Sequence, residues 1–109
     1  MAARNAASRV VTSIAAAVRL VSAVVGGLIV LYAVFVLFEA NPTNPLVEFT
    51  TAVRNDFGAF TRDLFSPEDP KIAETVNALL AAIVWVLVGN LLSKAIVRLA
   101  PRTKSSSKD

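Results

Sequence analysis

Few side chains in this sequence are equipped for chemistry. Ser13, Thr50 and Ser93 carry hydroxyls, but a hydroxyl needs a neighbouring base to act as a nucleophile. The 109 residues contain no histidine and no cysteine. That excludes imidazole acid–base work, thiolate nucleophiles, disulfides, zinc fingers and lipid attachment through cysteine. A glycine-rich phosphate loop is also missing from the sequence. The acids around Glu68 and Asp69 could be taken for a cation site. Capping is the simpler reading, because Ser66-Pro67-Glu68-Asp69 and Asp69-Pro70 both follow the order of a helix cap and a first-turn proline. Acids there also suit the positive end of the helix dipole. The expectation is a chain that is not an enzyme and holds no cofactor and no metal.

The elements around these residues are dominated by apolar runs. Hydrophobic residues make up 55% of the chain and charged residues 17%, below the quarter or so usual for soluble domains. Residues 20–38, between Arg19 and Glu39, contain no charge, and neither do residues 75–93, between Glu74 and Lys94. A helix of about 20 apolar residues crosses roughly 30 Å of hydrocarbon, and both runs have that length. Helix is expected to continue past each limit, giving spans at 10–38 and 74–100. Arg19, Lys94 and Arg98 can lift their charged heads to the headgroups, and Pro101 is expected to end the second span. The first run exceeds the 7–15 residues or so of a signal-peptide core, and bulky Phe38 stands two before Ala40. A retained anchor is expected.

The charges sort by region. Residues 1–9 with Arg19, and the stretch from Lys94 through the tail at 101–109, together hold eight basic residues. The segment between the spans, 39–73 with Glu74, holds seven acids and three bases. Lysine and arginine in short flanks stay cytoplasmic, so both termini are expected in the cytosol of a multi-pass plasma-membrane protein. The basic tail has no interleaved aromatic residues. Attraction to anionic lipid headgroups, about 1 kcal/mol per residue near the surface, accounts for it without a nucleic-acid partner.

Between the spans, Leu46, Phe49, Val53, Phe57, Phe60 and Leu64 recur at spacings of three and four, the period of one helical face. Glu48, Arg54, Asp56, Arg62 and Asp63 occupy the remaining surface of that helix. Asn44 can cap it and Pro45 suits its first turn, so an amphipathic helix is expected over about 45–65. It could lie on lipid in the outer leaflet, fold back on its own spans, or dock on a partner. Within the spans, Ser22, Gly26 and Ala33 could pack against Ala78, Ala82, Gly89 and Ser93, since small residues let helix backbones approach. Self-association through Gly26 and Gly27 competes with that use. Asn77 and Asn90 are expected to make local hydrogen bonds, and Tyr32 and Trp85 to be mid-span packing. The fold class is therefore an all-α integral membrane hairpin: two antiparallel transmembrane helices with an amphipathic interfacial helix in the connecting loop.

Asn41-Pro42-x-Asn44-Pro45, Val47-x-Phe49, Asp63-Leu64-Phe65-x-Pro67-x-Asp69-Pro70-Lys71, Asn77, Ala81-Ala82, Trp85 and Gly89 form an ordered series. This series resembles uncharacterised small two-span membrane proteins of actinobacteria. The Asn44-Pro45-Leu46-Val47-x-Phe49 element is also similar to one in the membrane-embedded YggT family, whose proline- and arginine-rich continuation and aspartate-serine-proline entry to the next span are only partly matched by Thr61-Arg62-Asp63 and Ser66-Pro67-Glu68. Membership implies a bacterial plasma-membrane protein and transfers no site residues. The function expected is a small structural or accessory subunit of an envelope complex. Its partners would be lipid and other integral membrane subunits or further copies of itself. The alternatives are a holin-like permeabilising oligomer and an accessory subunit of a transporter or channel.

Overall fold

A computed structural model describes the backbone of residues 2–99 and the side chains of residues 5–99. The expected basic tail at 101–109, and Pro101 as a helix stop, lie outside the described residues. The described chain is all-helical: α1 (Ala2–Leu37), α2 (Pro45–Phe57), a 3-10 turn (Ala59–Thr61) and α3 (Pro70–Arg98). At 1.5 Å per residue, α1 is about 54 Å long and α3 about 44 Å. Both are long and apolar enough to cross a membrane. They run antiparallel inside an envelope of 60 × 28 × 18 Å.

Local chemistry sets the element ends. Asn44 is extended and its Oδ1 accepts from the Leu46 amide at 2.9 Å, with Pro45 opening α2. Asp69 does the same for Lys71 at the start of α3, with Pro70 next. Of the two expected cap sites before α3, the chain uses the second. The end of α1 carries no glycine signal, yet Ala40 donates to the Phe35 carbonyl and Glu39 to that of Val36. Glu39 takes the left-handed conformation that this closure requires, at φ 56°. Its carboxylate pairs with Lys71 across the top of the hairpin. The hydrogen bond from Lys71, and then its charge, hold the Glu39 carboxyl below its ordinary pKa.

The loop helix is shorter than its periodicity predicts. It stops at Phe57 rather than near residue 65, because Gly58 leaves helical geometry and its amide closes on the Arg54 carbonyl. The 3-10 turn follows, and Asp63 at φ 60° redirects the chain back towards α3. Apolar spacing runs on through Phe60 and Leu64, but it belongs to two different conformations.

The core is the line between the long helices. Ser22, Gly26, Ile29 and Ala33 of α1 are buried against Ala78, Ala82, Gly89 and Ser93 of α3. A Cβ built on Gly89 would meet the Ser22 Cβ at 2.2 Å, and one on Gly26 would meet the Ala82 carbonyl oxygen at 3.1 Å. The backbones therefore approach as closely as these residues allow. Gly27 points elsewhere, with nothing within 4 Å of its built Cβ. Val53 of α2 joins the same core, with Tyr32 and Trp85 partly buried beside it.

Candidate functional site

The loop returns along the side of the hairpin, and it does so through polar groups. Thr50, Val53 and Arg54 form the buried face of α2. Leu46, Phe49 and Phe57 are exposed, as are Phe60 and Leu64 beyond the helix. Five of the six residues expected to share one apolar face are thus open to the surroundings, and Val53 alone is buried. The buried side of α2 is rotated from the phenylalanine stripe, so the phenylalanines flank it.

Arg54, placed by its charge on the polar surface, is fully buried. The structure corrects that expectation, because the guanidinium serves as the hub of a polar cluster. Its Nε donates to Glu74 Oε2 at 3.0 Å, and its Nη1 donates to the Gly58 carbonyl and to Thr61 Oγ1. Nη2 is buried with no hydrogen-bond partner among the described residues. Tyr32 Oη donates to the same Glu74 oxygen at 2.7 Å. Tyr32 is therefore more than mid-span packing, since it ties α1 to the carboxylate that holds Arg54. Buried charges are retained where they are paired and hydrogen-bonded, and three elements supply the partners here.

A second group of bonds serves the backbone of the turn. Trp85 Nε1 donates to the Phe57 carbonyl at 2.6 Å, and its ring meets Phe57 edge to face with centroids 6.0 Å apart. This too departs from simple packing. Asn77 accepts from the Phe65 amide and donates to the Phe65 carbonyl, both at 3.0 Å. Thr61 Oγ1 donates to the Asn77 carbonyl at 2.7 Å. The Asn77 side chain is thus spent on the loop rather than between the spans. Replacing Asn77 by leucine is expected to cost about 1–2 kcal/mol, since both Phe65 backbone groups lose their partner. Amide hydrogen exchange at Phe65 would then quicken while the amides of mid-α1 keep their protection.

The hydroxyls considered for chemistry lie apart from one another. Thr50 is buried and donates to the Val47 carbonyl, Ser93 lies in the seam between the helices, and Ser13 is exposed on α1. Of the packing residues, Ser22, Gly26, Ala33, Ala78, Ala82, Gly89 and Ser93 are all buried. Sequence reasoning missed Arg54, Glu74, Tyr32 and Thr61 as one cluster. A signal existed: Val47, Thr50, Thr51 and Arg54 repeat at helical spacing beside the phenylalanine stripe, marking a second and more polar face.

No family model, curated protein or solved structure matches this chain.

Proposed function

We propose that the chain is a two-span membrane hairpin with both termini in the cytosol. In this reading it works as a structural or accessory subunit of an envelope complex, and its resemblance to small actinobacterial two-span proteins implies only that the membrane is a bacterial plasma membrane. The observation that carries this reading is the distribution of apolar surface. Small residues fill the seam, while Val21, Val24, Val30 and Val34 of α1 and Ile83, Leu87, Leu91 and Leu92 of α3 face outward. Water would penalise that surface at roughly 25 cal/mol per Å², whereas hydrocarbon accepts it. The basic flanks favour cytoplasmic ends. The polar back of α2, with Glu48, Asn55 and Asp56, is exposed and offers a recognition surface.

Purification from native membranes in mild detergent is expected to bring down integral membrane partners in fixed ratio. A chain recovered alone and monomeric would overturn the accessory reading, and abrupt growth arrest on induction would favour a holin-like oligomer instead. Topology is tested separately. A Glu48→Cys variant, in a chain with no cysteine of its own, should react with an impermeant thiol reagent on intact spheroplasts. Reaction only after lysis would invert the hairpin.

A further inference from the structure

We infer that residues 45–65 form a re-entrant wedge, whose tip at Phe57–Phe60 is immersed in the upper acyl chains of the outer leaflet. The partner of the exposed phenylalanines is then lipid. This rests on the membrane reading above and adds the depth and occupant of the loop.

Depth follows from what the tip touches. The space beneath Phe60 is lined by Val84, Trp85 and Val88, and a Cβ on Gly58 would lie 3.2 Å from that of Ala81. Glu74 is the last charge before the apolar run of α3. From Glu74 to Ala81, the helix rise takes the tip about 10 Å further down. A helix lying flat at the level of Glu74 could not reach these residues.

The hydrogen bonds point the same way. In contact with water, a turn leaves its backbone to the solvent. In hydrocarbon, every freed N–H and C=O needs a protein partner. Here the Phe57 carbonyl is served by Trp85, the Gly58 carbonyl by Arg54, and both backbone groups of Phe65 by Asn77. Those side chains come from distant positions and from the fully buried Arg54. Together they supply what water would otherwise provide.

Continuity names the occupant. Phe57 and Phe60 are about half exposed, at 47% and 57%; Phe60 adjoins the outward-facing Val84 and Val88 of α3, and Phe57 meets Trp85 beside them. Whatever covers α3 at that level also covers the tip. The exposed charges beside it limit the depth. Arg62 folds back to Asn55 Oδ1 at 2.6 Å, and a long arginine can hold its head near the headgroups while its stem runs through apolar surroundings. The wedge therefore stops in the upper acyl region, short of the bilayer centre.

Single-cysteine variants Phe60→Cys, Leu87→Cys and Glu48→Cys of the full chain, each carrying a nitroxide, test this in phosphatidylcholine–phosphatidylglycerol vesicles. Collision rates with oxygen and with a water-soluble nickel chelate report the surroundings. The oxygen-to-nickel ratio at Phe60 is expected to approach that at Leu87 and to exceed that at Glu48 on the order of tenfold. A ratio at Phe60 equal to Glu48, with Leu87 still in lipid, overturns the wedge alone. Shielding of Phe60 from both agents assigns the tip to a second copy of the chain and also overturns it. Nickel access at Leu87 overturns the membrane reading itself. Ala59→Cys, exposed at the same tip, repeats the measurement with a smaller change, and Trp85 emission unaltered in each variant before the nitroxide is attached certifies that the loop is docked.

Discussion

Replacing Glu74 by alanine is expected to undock the loop from the hairpin, at a cost of about 3–5 kcal/mol, because it strands a buried cation. Arg54 has no exposed surface, and Glu74 is its carboxylate partner. The same substitution removes the acceptor of the Tyr32 hydroxyl. Trp85 is the single tryptophan of the chain and its indole donates to Phe57 of the loop. Its emission should therefore shift when α2 lifts away, while far-ultraviolet dichroism of the long helices changes little. Glu74→Gln keeps an acceptor and should lose less. The double change Arg54→Met with Glu74→Met should recover part of the loss, since apolar replacements of a buried pair can be near neutral. Full recovery is not expected, because Arg54 also serves the Gly58 carbonyl and Thr61. Unchanged Trp85 emission and unchanged stability in Glu74→Ala would contradict the role given to this cluster.

Gly89→Ala should force the long helices apart. The new methyl would stand 2.2 Å from the Ser22 Cβ and 2.3 Å from its Oγ, and Ser22 is too short to swing clear. Overpacking of this kind costs about 1–3 kcal/mol, and more where backbones must move. Ser22→Gly in the same chain removes the clashing atoms and should restore most of the stability. Gly26→Ala meets a Val86 methyl at 3.0 Å and the Ala82 carbonyl oxygen at 3.1 Å, distances well beyond those at Gly89, so a smaller loss is expected. Gly27→Ala meets nothing and should be neutral or slightly favourable, since alanine is the better helix former. Thermal unfolding in detergent should rank the three in that order. Oligomers lost in Gly27→Ala but kept in Gly26→Ala would instead identify Gly27 as a contact between copies.

How far these features could be read from sequence depended on the kind of interaction. The two long helices, the caps at Asn44 and Asp69, and the small-residue seam follow from hydropathy, capping chemistry and residue size, all of which act locally or along one helix. The end of α2 did not follow. Phe60 and Leu64 keep the helical spacing of the residues before them, while Gly58 and Asp63 break the backbone between. Arg54 was misplaced because a charge in a loop is normally solvated, and only Glu74, twenty positions on, makes its burial tolerable. Tyr32, Asn77 and Trp85 were read from their depth in a span. The Tyr32 hydroxyl instead serves Glu74, and the polar atoms of Asn77 and Trp85 answer to a loop whose path no local pattern discloses.

The source of the loop's partners has a consequence for how the protein is made. Glu74, Asn77, Ala81 and Trp85 all follow the wedge in the chain. When residues 45–65 are synthesised, the α1 side of the core that Val53 joins is already present, but Glu74, Asn77 and Trp85 are still to come. Arg54 must then remain hydrated until α3 has been synthesised and paired with α1. Seating of the loop is thus a late event of biogenesis, and a nascent chain arrested before residue 74 would lack the carboxylate that holds Arg54 and the Asn77 and Trp85 side chains that serve the turn.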